Sequence, residues 1–132
     1  MKNFRVVLVV IFTFLSLGTL AKKPIEYLYI DGNNNTYEIS ASLLNYIPIE
    51  PKNSSSGEYS GGVALSVILS EVQFSEIESF IKSIFKDKEY LADNREMGFG
   101  TIRIGNKTKF ILRDSPLLLQ MNTHLKSLLA NS

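Results

Sequence analysis

His124 and the serine run Ser54, Ser55, Ser56 and Ser60 are the residue types from which a nucleophile and its base could be assembled. A Ser–His hydrolase needs the hydroxyl within about 3 Å of the imidazole and a carboxylate behind the ring. Glu58 and Asp114 are the acidic residues available for that third role. Nothing in the spacing demands this assembly, and no Gly-x-Ser-x-Gly elbow is present. His124 also borders the apolar stripe of a helical pattern, where a histidine simply packs. The chain has no cysteine, which removes thiol catalysis, iron–sulfur clusters and thiolate zinc sites. Its one histidine has no partner at ligand spacing, so no zinc set is expected. Asp31, Asn33 and Asn35 alternate as at the start of a calcium loop, but Thr36 and Ser42 stand where the EF-hand needs glycine and glutamate. These side chains are expected to cap their own turn. No cofactor is expected.

The segment best suited to contacting a ligand is Ser54, Ser55, Ser56, Gly57, Glu58, Tyr59, Ser60 and Gly61, within a loop from Pro51 to Gly62. Glycines allow backbone amides to approach a ligand, serines offer hydroxyls, and Tyr59 can stack on a sugar or peptide. No Gly-Lys-Ser/Thr follows, so it is not a phosphate-binding P-loop. The competing reading is a flexible connector, since Ser and Gly are what linkers are made of. The other five tyrosines, Tyr27, Tyr29, Tyr37, Tyr46 and Tyr90, add to an aromatic recognition surface wherever they are exposed. Arg103, Lys107, Lys109 and Arg113 are expected together on the outer face of a hairpin, guarding it against aggregation or meeting an acidic ligand. Asn34, Asn53 and Asn106 each begin an Asn-x-Ser/Thr triplet, a glycosylation acceptor only in a eukaryotic secretory route.

The elements that would position these residues follow from periodicity. Ile25–Ile30 and Thr36–Ser40, joined by Asp31-Gly32-Asn33-Asn34-Asn35, read as a β-hairpin. Leu43–Glu50 reads as a third strand, which Pro48 confines to an edge or a bulge. Val63–Leu69 is a nearly unbroken apolar run, the pattern of a strand covered on both faces. Ser70-Glu71-Val72-Gln73 is a capping box. Phe74, Ile77, Ile81, Ile84 and Phe85 form the apolar stripe of a helix over Glu71–Lys86. Thr101–Ile104 and Lys107–Arg113 flank Gly105-Asn106 as a second hairpin. Ser115 and Pro116 start a final helix with Leu117, Leu118, Met121, Leu125, Leu128 and Leu129 on its apolar face. The expected fold is α+β: a mostly antiparallel sheet of about five to six strands with two amphipathic helices packed on one face.

Residues 1–21 read as a signal peptide. Lys2 and Arg5 precede an apolar run from Val6 to Leu20, and Thr19 and Ala21 sit where a signal peptidase reads. The run falls short of the about 20 apolar residues that span a bilayer, so no stable membrane insertion is expected once it is removed. Residues 22–132 then form a single domain, exported to the periplasm or secreted. Cleavage takes two basic residues from a formal charge of +1. The resulting balance gives no field to attract nucleic acid.

The stretch Ser54-Ser55-Ser56-Gly57-Glu58-Tyr59-Ser60-Gly61-Gly62, preceded by Tyr46-Ile47-Pro48 and followed by a strand and an amphipathic helix, resembles that of small exported proteins of Bacteroidetes-type bacteria. The resemblance covers roughly residues 43–115. It implies export and a bacterial origin, and no activity. Taken together, the residues point to a non-catalytic binding domain for a protein, peptide or glycan of the cell envelope, held through Ser54–Gly61. A small hydrolase using a loop serine and His124, or a structural envelope component, are the alternatives.

Overall fold

The computed structural model describes residues 24–132. The signal-peptide reading falls on residues 1–21, outside the described residues. Seven strands run in the spatial order β4-β3-β2-β1-β6-β7-β5. They are β1 (Tyr27–Ile30), β2 (Thr36–Ile39), β3 (Leu43–Ile47), β4 (Leu65–Ile68), β5 (Leu91–Ala92), β6 (Gly100–Ile104) and β7 (Lys107–Ile111). Every neighbouring pair is antiparallel. Helix α1 (Glu71–Lys86) follows β4, and α2 (Pro116–Ala130) closes the chain. The fold class is α+β, with more strands than the sequence suggests. The additional strand is β5, two residues long and too short to show a period.

Both helices lie on the sheet face that carries the β1 tyrosines. Tyr27 donates to Glu78 of α1 and Tyr29 to Asn122 of α2, each at 2.5 Å. Ile77, Ile81 and Ile84 of α1 and Leu118, Met121 and Leu125 of α2 pack there against Tyr29, Ile39, Leu44, Ile102 and Ile111. Full burial of side chains of this size is worth about 1.5–3 kcal/mol each. This single layer of contacts therefore supplies the core that an absence of disulfides requires. Burial, with nearby acidic and phenolic groups adding to it, pushes the Tyr29 and Tyr37 hydroxyls well above the usual phenol range.

Both helix starts match their sequence signals. Ser70 Oγ accepts from the Gln73 amide at 3.1 Å, and Gln73 Oε1 accepts from the Ser70 amide at 2.9 Å. Ser115 Oγ accepts from the Leu118 amide ahead of Pro116. At 16 residues, α1 is about 24 Å long. The seven strands span about 29 Å. With the 3-10 turn Lys88–Tyr90, α1 carries the chain from the β4 edge to the β5 edge. Among the described residues no helix is long and apolar enough to cross a membrane.

Three strand expectations are corrected. β3 is not an edge: it ends at Ile47, before Pro48, and pairs with β2 on one side and β4 on the other. The proline stops the strand and never meets the ladder. The apolar run Val63–Leu69 is not covered on both faces. Its strand, β4, is the edge, and Ile68 is 83% exposed. Finally, the basic residues of the second hairpin are split. Register pairs Ile102 with Lys109 and Ile104 with Lys107, whereas Arg103 pairs with Thr108 on the opposite face. Lys107 and Lys109 thus continue the line of buried Ile111.

Candidate functional site

A cleft of about 640 Å³ opens at one end of the sheet, where three loops meet. The β1–β2 turn supplies Gly32, Asn33 and Asn34. The β3–β4 connection supplies Ile49, Ser54, Ser55 and Tyr59. The β5–β6 connection supplies Arg95, Glu96, Met97 and Gly98.

The turn is organised by Asp31. Its Oδ1 accepts from the amides of Asn33 and Asn35, both at 2.9 Å, so the acidic side chain caps the turn as expected. Asn34 adopts a left-handed φ of 67°, a conformation asparagine tolerates better than most residues. This frees the chain to reverse within the turn. The Arg95 guanidinium donates to Asn34 Oδ1 and brings the β5–β6 loop to the same wall. Gly32 lies against that loop so closely that a Cβ there would be 2.6 Å from the Gly98 carbonyl oxygen.

Asn35 fastens the opposite wall. Only 3% exposed, its side chain donates to Asp31 Oδ2 at 3.0 Å and to the Tyr59 hydroxyl at 3.3 Å. Its Oδ1 accepts from the Ile49 amide at 3.0 Å. Gly61 then donates its amide to the Ile49 carbonyl, while its own carbonyl accepts from Tyr46 at 2.6 Å. A Cβ on Gly61 would stand 1.9 Å from Asn35 Oδ1, so only glycine lets the loop come this close. Behind this wall Tyr29, Tyr37 and Tyr46 form an aromatic row across β1, β2 and β3, Tyr29 stacked on Tyr37 with ring centroids 5.4 Å apart and Tyr46 tilted against Tyr37 at 5.0 Å.

The serine-rich residues therefore divide by role. Ser54, Ser55 and Tyr59 line the cleft. Ser56 Oγ accepts from the Glu58 and Tyr59 amides, and Ser60 Oγ from Gly62, which shapes the loop from within. Gly57, with φ of 72°, and Glu58 are exposed and outside the cleft lining. Gly61 is a fastening point. Of the tyrosines, Tyr27, Tyr29 and Tyr37 are buried and Tyr46 and Tyr90 partly so, leaving Tyr59 as the exposed one. Sequence reasoning missed Arg95–Gly98, which lies in a stretch without period. The exposed Met97, ahead of Gly98 at a φ of 85°, is the local signal that was there to read.

His124 is not in this cleft. It borders a shallow groove of about 540 Å³ on the helices with Phe80, Leu119 and Thr123. Its Nε2 lies 3.3 Å from Glu76 Oε2 without hydrogen-bond alignment, and its ring leans on Phe80 at 5.6 Å. Ser54 Oγ donates to the Pro51 carbonyl and Ser56 Oγ serves loop amides. The structure does not bring a loop serine to the histidine. Among the described residues no group of three or more His, Cys, Asp or Glu is placed to hold a metal.

The chain matches no protein-family model, no curated protein and no solved structure. What the cleft offers chemically is two asparagine side chains, two serine hydroxyls, a phenol, one guanidinium and one carboxylate, beside the apolar surfaces of Ile49 and Met97. Such a set hydrogen-bonds and packs. It holds no base paired to a nucleophile.

Proposed function

We propose that the protein is an exported, non-catalytic binding domain that takes a protein, peptide or glycan segment of the cell envelope into the cleft between the β1–β2 turn, the Ser54–Gly61 loop and the Arg95–Gly98 loop. The observation that carries this reading is the fastening of the loop. Asn35, nearly buried, holds Tyr59 and the Ile49 amide while Tyr46 and Gly61 close the loop behind them. A plain connector needs none of these bonds. A site that binds with little ordering cost does, because order lost on binding is subtracted from affinity. Mixed hydrogen-bonding groups beside an exposed tyrosine suit a sugar ring or a peptide backbone with one side chain. Export rests on the reading of residues 1–21 and on the resemblance of residues 43–115 to exported bacterial proteins.

The test is amide chemical-shift mapping of the purified protein against envelope oligosaccharides and a mixed peptide pool. Shifts confined to Asn33–Asn35, Ser54–Tyr59 and Arg95–Gly98, lost in a folded Tyr59→Ala variant, are the expected result. Shifts clustered instead around His124 and Phe80, or none with either class, would remove the cleft from the argument.

A further inference from the structure

The two edges of the sheet are built differently. At one, β5 is two residues long and its neighbour β7 carries Lys107 and Lys109; short, charged strands of this kind discourage pairing with another chain. At the other, β4 has no such protection. From Gly61 to Ser70 there is no charged residue and no proline. Val63 is 76% exposed, Leu65 41%, Ile68 83% and Val72 68%. These apolar side chains all lie on β4 or within a few residues of it.

The direction of the backbone groups follows from one bond. The Leu69 amide donates to the Ser42 carbonyl, and Leu44 pairs with Val67 and Tyr46 with Leu65 in the same register. Since amides alternate in direction along an antiparallel strand, Leu65, Val67 and Leu69 address β3. Ser66 and Ile68 therefore direct their N–H and C=O groups away from the sheet. Among the described residues no strand pairs with β4 on that side.

We propose that this edge pairs with a second copy of the chain, β4 against β4 and antiparallel, about a two-fold axis at Ser66. A two-fold interface brings one patch against itself, so like charges near the axis would face one another; β4 has none. Centring on Ser66 lets its amide and carbonyl exchange both bonds with Ser66 of the partner subunit. The same register sets Ile68 opposite Ala64 of the partner subunit, a large side chain beside a small one on the face without helices. The two sheets then join into one continuous sheet with all helices on the same side. A strand pair of four residues buries well under the about 1,200 Å² of a standard interface, so the dimer is weak and reversible.

Sedimentation of the purified protein from about 10 μM to about 1 mM, which brackets the affinity of so small a contact, tests this directly. The expected result is a mass rising toward the dimer. Ile68→Lys and Ser66→Pro should each raise the midpoint at least tenfold with circular dichroism unchanged. If the proline variant fails to fold, Ile68→Lys still decides, because its side chain is exposed. Amide exchange should slow with concentration at Ser66 and Ile68 and stay constant at Val67, already bonded to β3. A chain that remains monomeric at 1 mM, as it would if the edge served a foreign peptide, overturns the proposal. So does a dimer indifferent to Ile68→Lys.

Discussion

Asn35 and Tyr59 meet through a 3.3 Å hydrogen bond that joins a nearly buried turn to an exposed loop. The asparagine has no spare capacity on that side, since its amide nitrogen also serves Asp31 and its oxygen serves the Ile49 amide. Asn35→Ala leaves these partners unpaired, and an orphaned buried polar group costs about 1–3 kcal/mol. Urea unfolding should show that loss. Backbone order parameters across Ser54–Gly61 should fall toward about 0.6 or lower; unchanged values would mean that Asn35 does not hold the loop.

Two glycines of the same loop should respond in opposite ways. Gly61→Ala places a methyl group within contact of Asn35 and Pro48 and should destabilise by about 1–3 kcal/mol, the range for overpacking. Gly57 has a left-handed φ of 72° and no neighbour within 4 Å. Asparagine accepts that conformation, so Gly57→Asn should change stability by less than about 0.5 kcal/mol. Equal losses in thermal unfolding would contradict the close approach at Gly61.

The tyrosine row makes the fold sensitive to alkali. Burial first, and Asp31 second, hold the Tyr29, Tyr37 and Tyr46 hydroxyls protonated above the usual phenol range. Above about pH 10 the unfolded chain ionises its tyrosines while the folded one keeps these protons. The folded state then binds more protons, and stability falls as pH rises. Below that range their contribution is fully present. For Tyr29, which is 0% exposed, the slope approaches about 1.4 kcal/mol per pH unit. Denaturant melts between pH 8 and 11 should show the decline, and Tyr29→Phe should flatten it.

Helix starts offer a simpler measurement. Ser70→Ala removes the bond from the Gln73 amide to Ser70 Oγ while keeping the Ser70 amide that donates to Gln73 Oε1, and Ser115→Ala removes the bond from the Leu118 amide. Each should cost about 0.5–2 kcal/mol in chemical denaturation. A loss near zero at Ser70 would show that packing of Ile77 and Ile81 alone sets where α1 begins.

What could be read in advance was local. The stripe from Phe74 to Phe85 and the serine caps fixed both helices, because their signals repeat within one turn or two. The hairpins were equally legible from Asp31–Asn35 and Gly105-Asn106. Lateral position was not. An apolar run such as Val63–Leu69 has the same composition whether a sheet covers it or leaves it at an edge, and Pro48 looks the same inside a ladder as one residue beyond it. The same limit applied to the cleft. Ser54, Ser55 and Tyr59 were visible as a composed loop, but their meeting with Asn34 and Arg95 depends on strand order, which no short motif encodes.

The pairing of β1 with β6 sets Leu28 against Arg103 at the centre of the sheet. Strands β1 to β4 form a meander that can assemble from neighbours alone, and so can the β6–β7 hairpin. The seam between them requires chain from opposite ends of the sequence, after α1 has crossed the sheet. Closing so long a loop is what makes such topologies fold in milliseconds to seconds instead of microseconds. Until Arg103 arrives, the Tyr27–Ile30 strand has one unpaired side and the core lacks Ile102 and Ile111. The domain is thus completed late, by the last third of its chain, and a copy interrupted before Gly100 has nothing with which to finish its sheet.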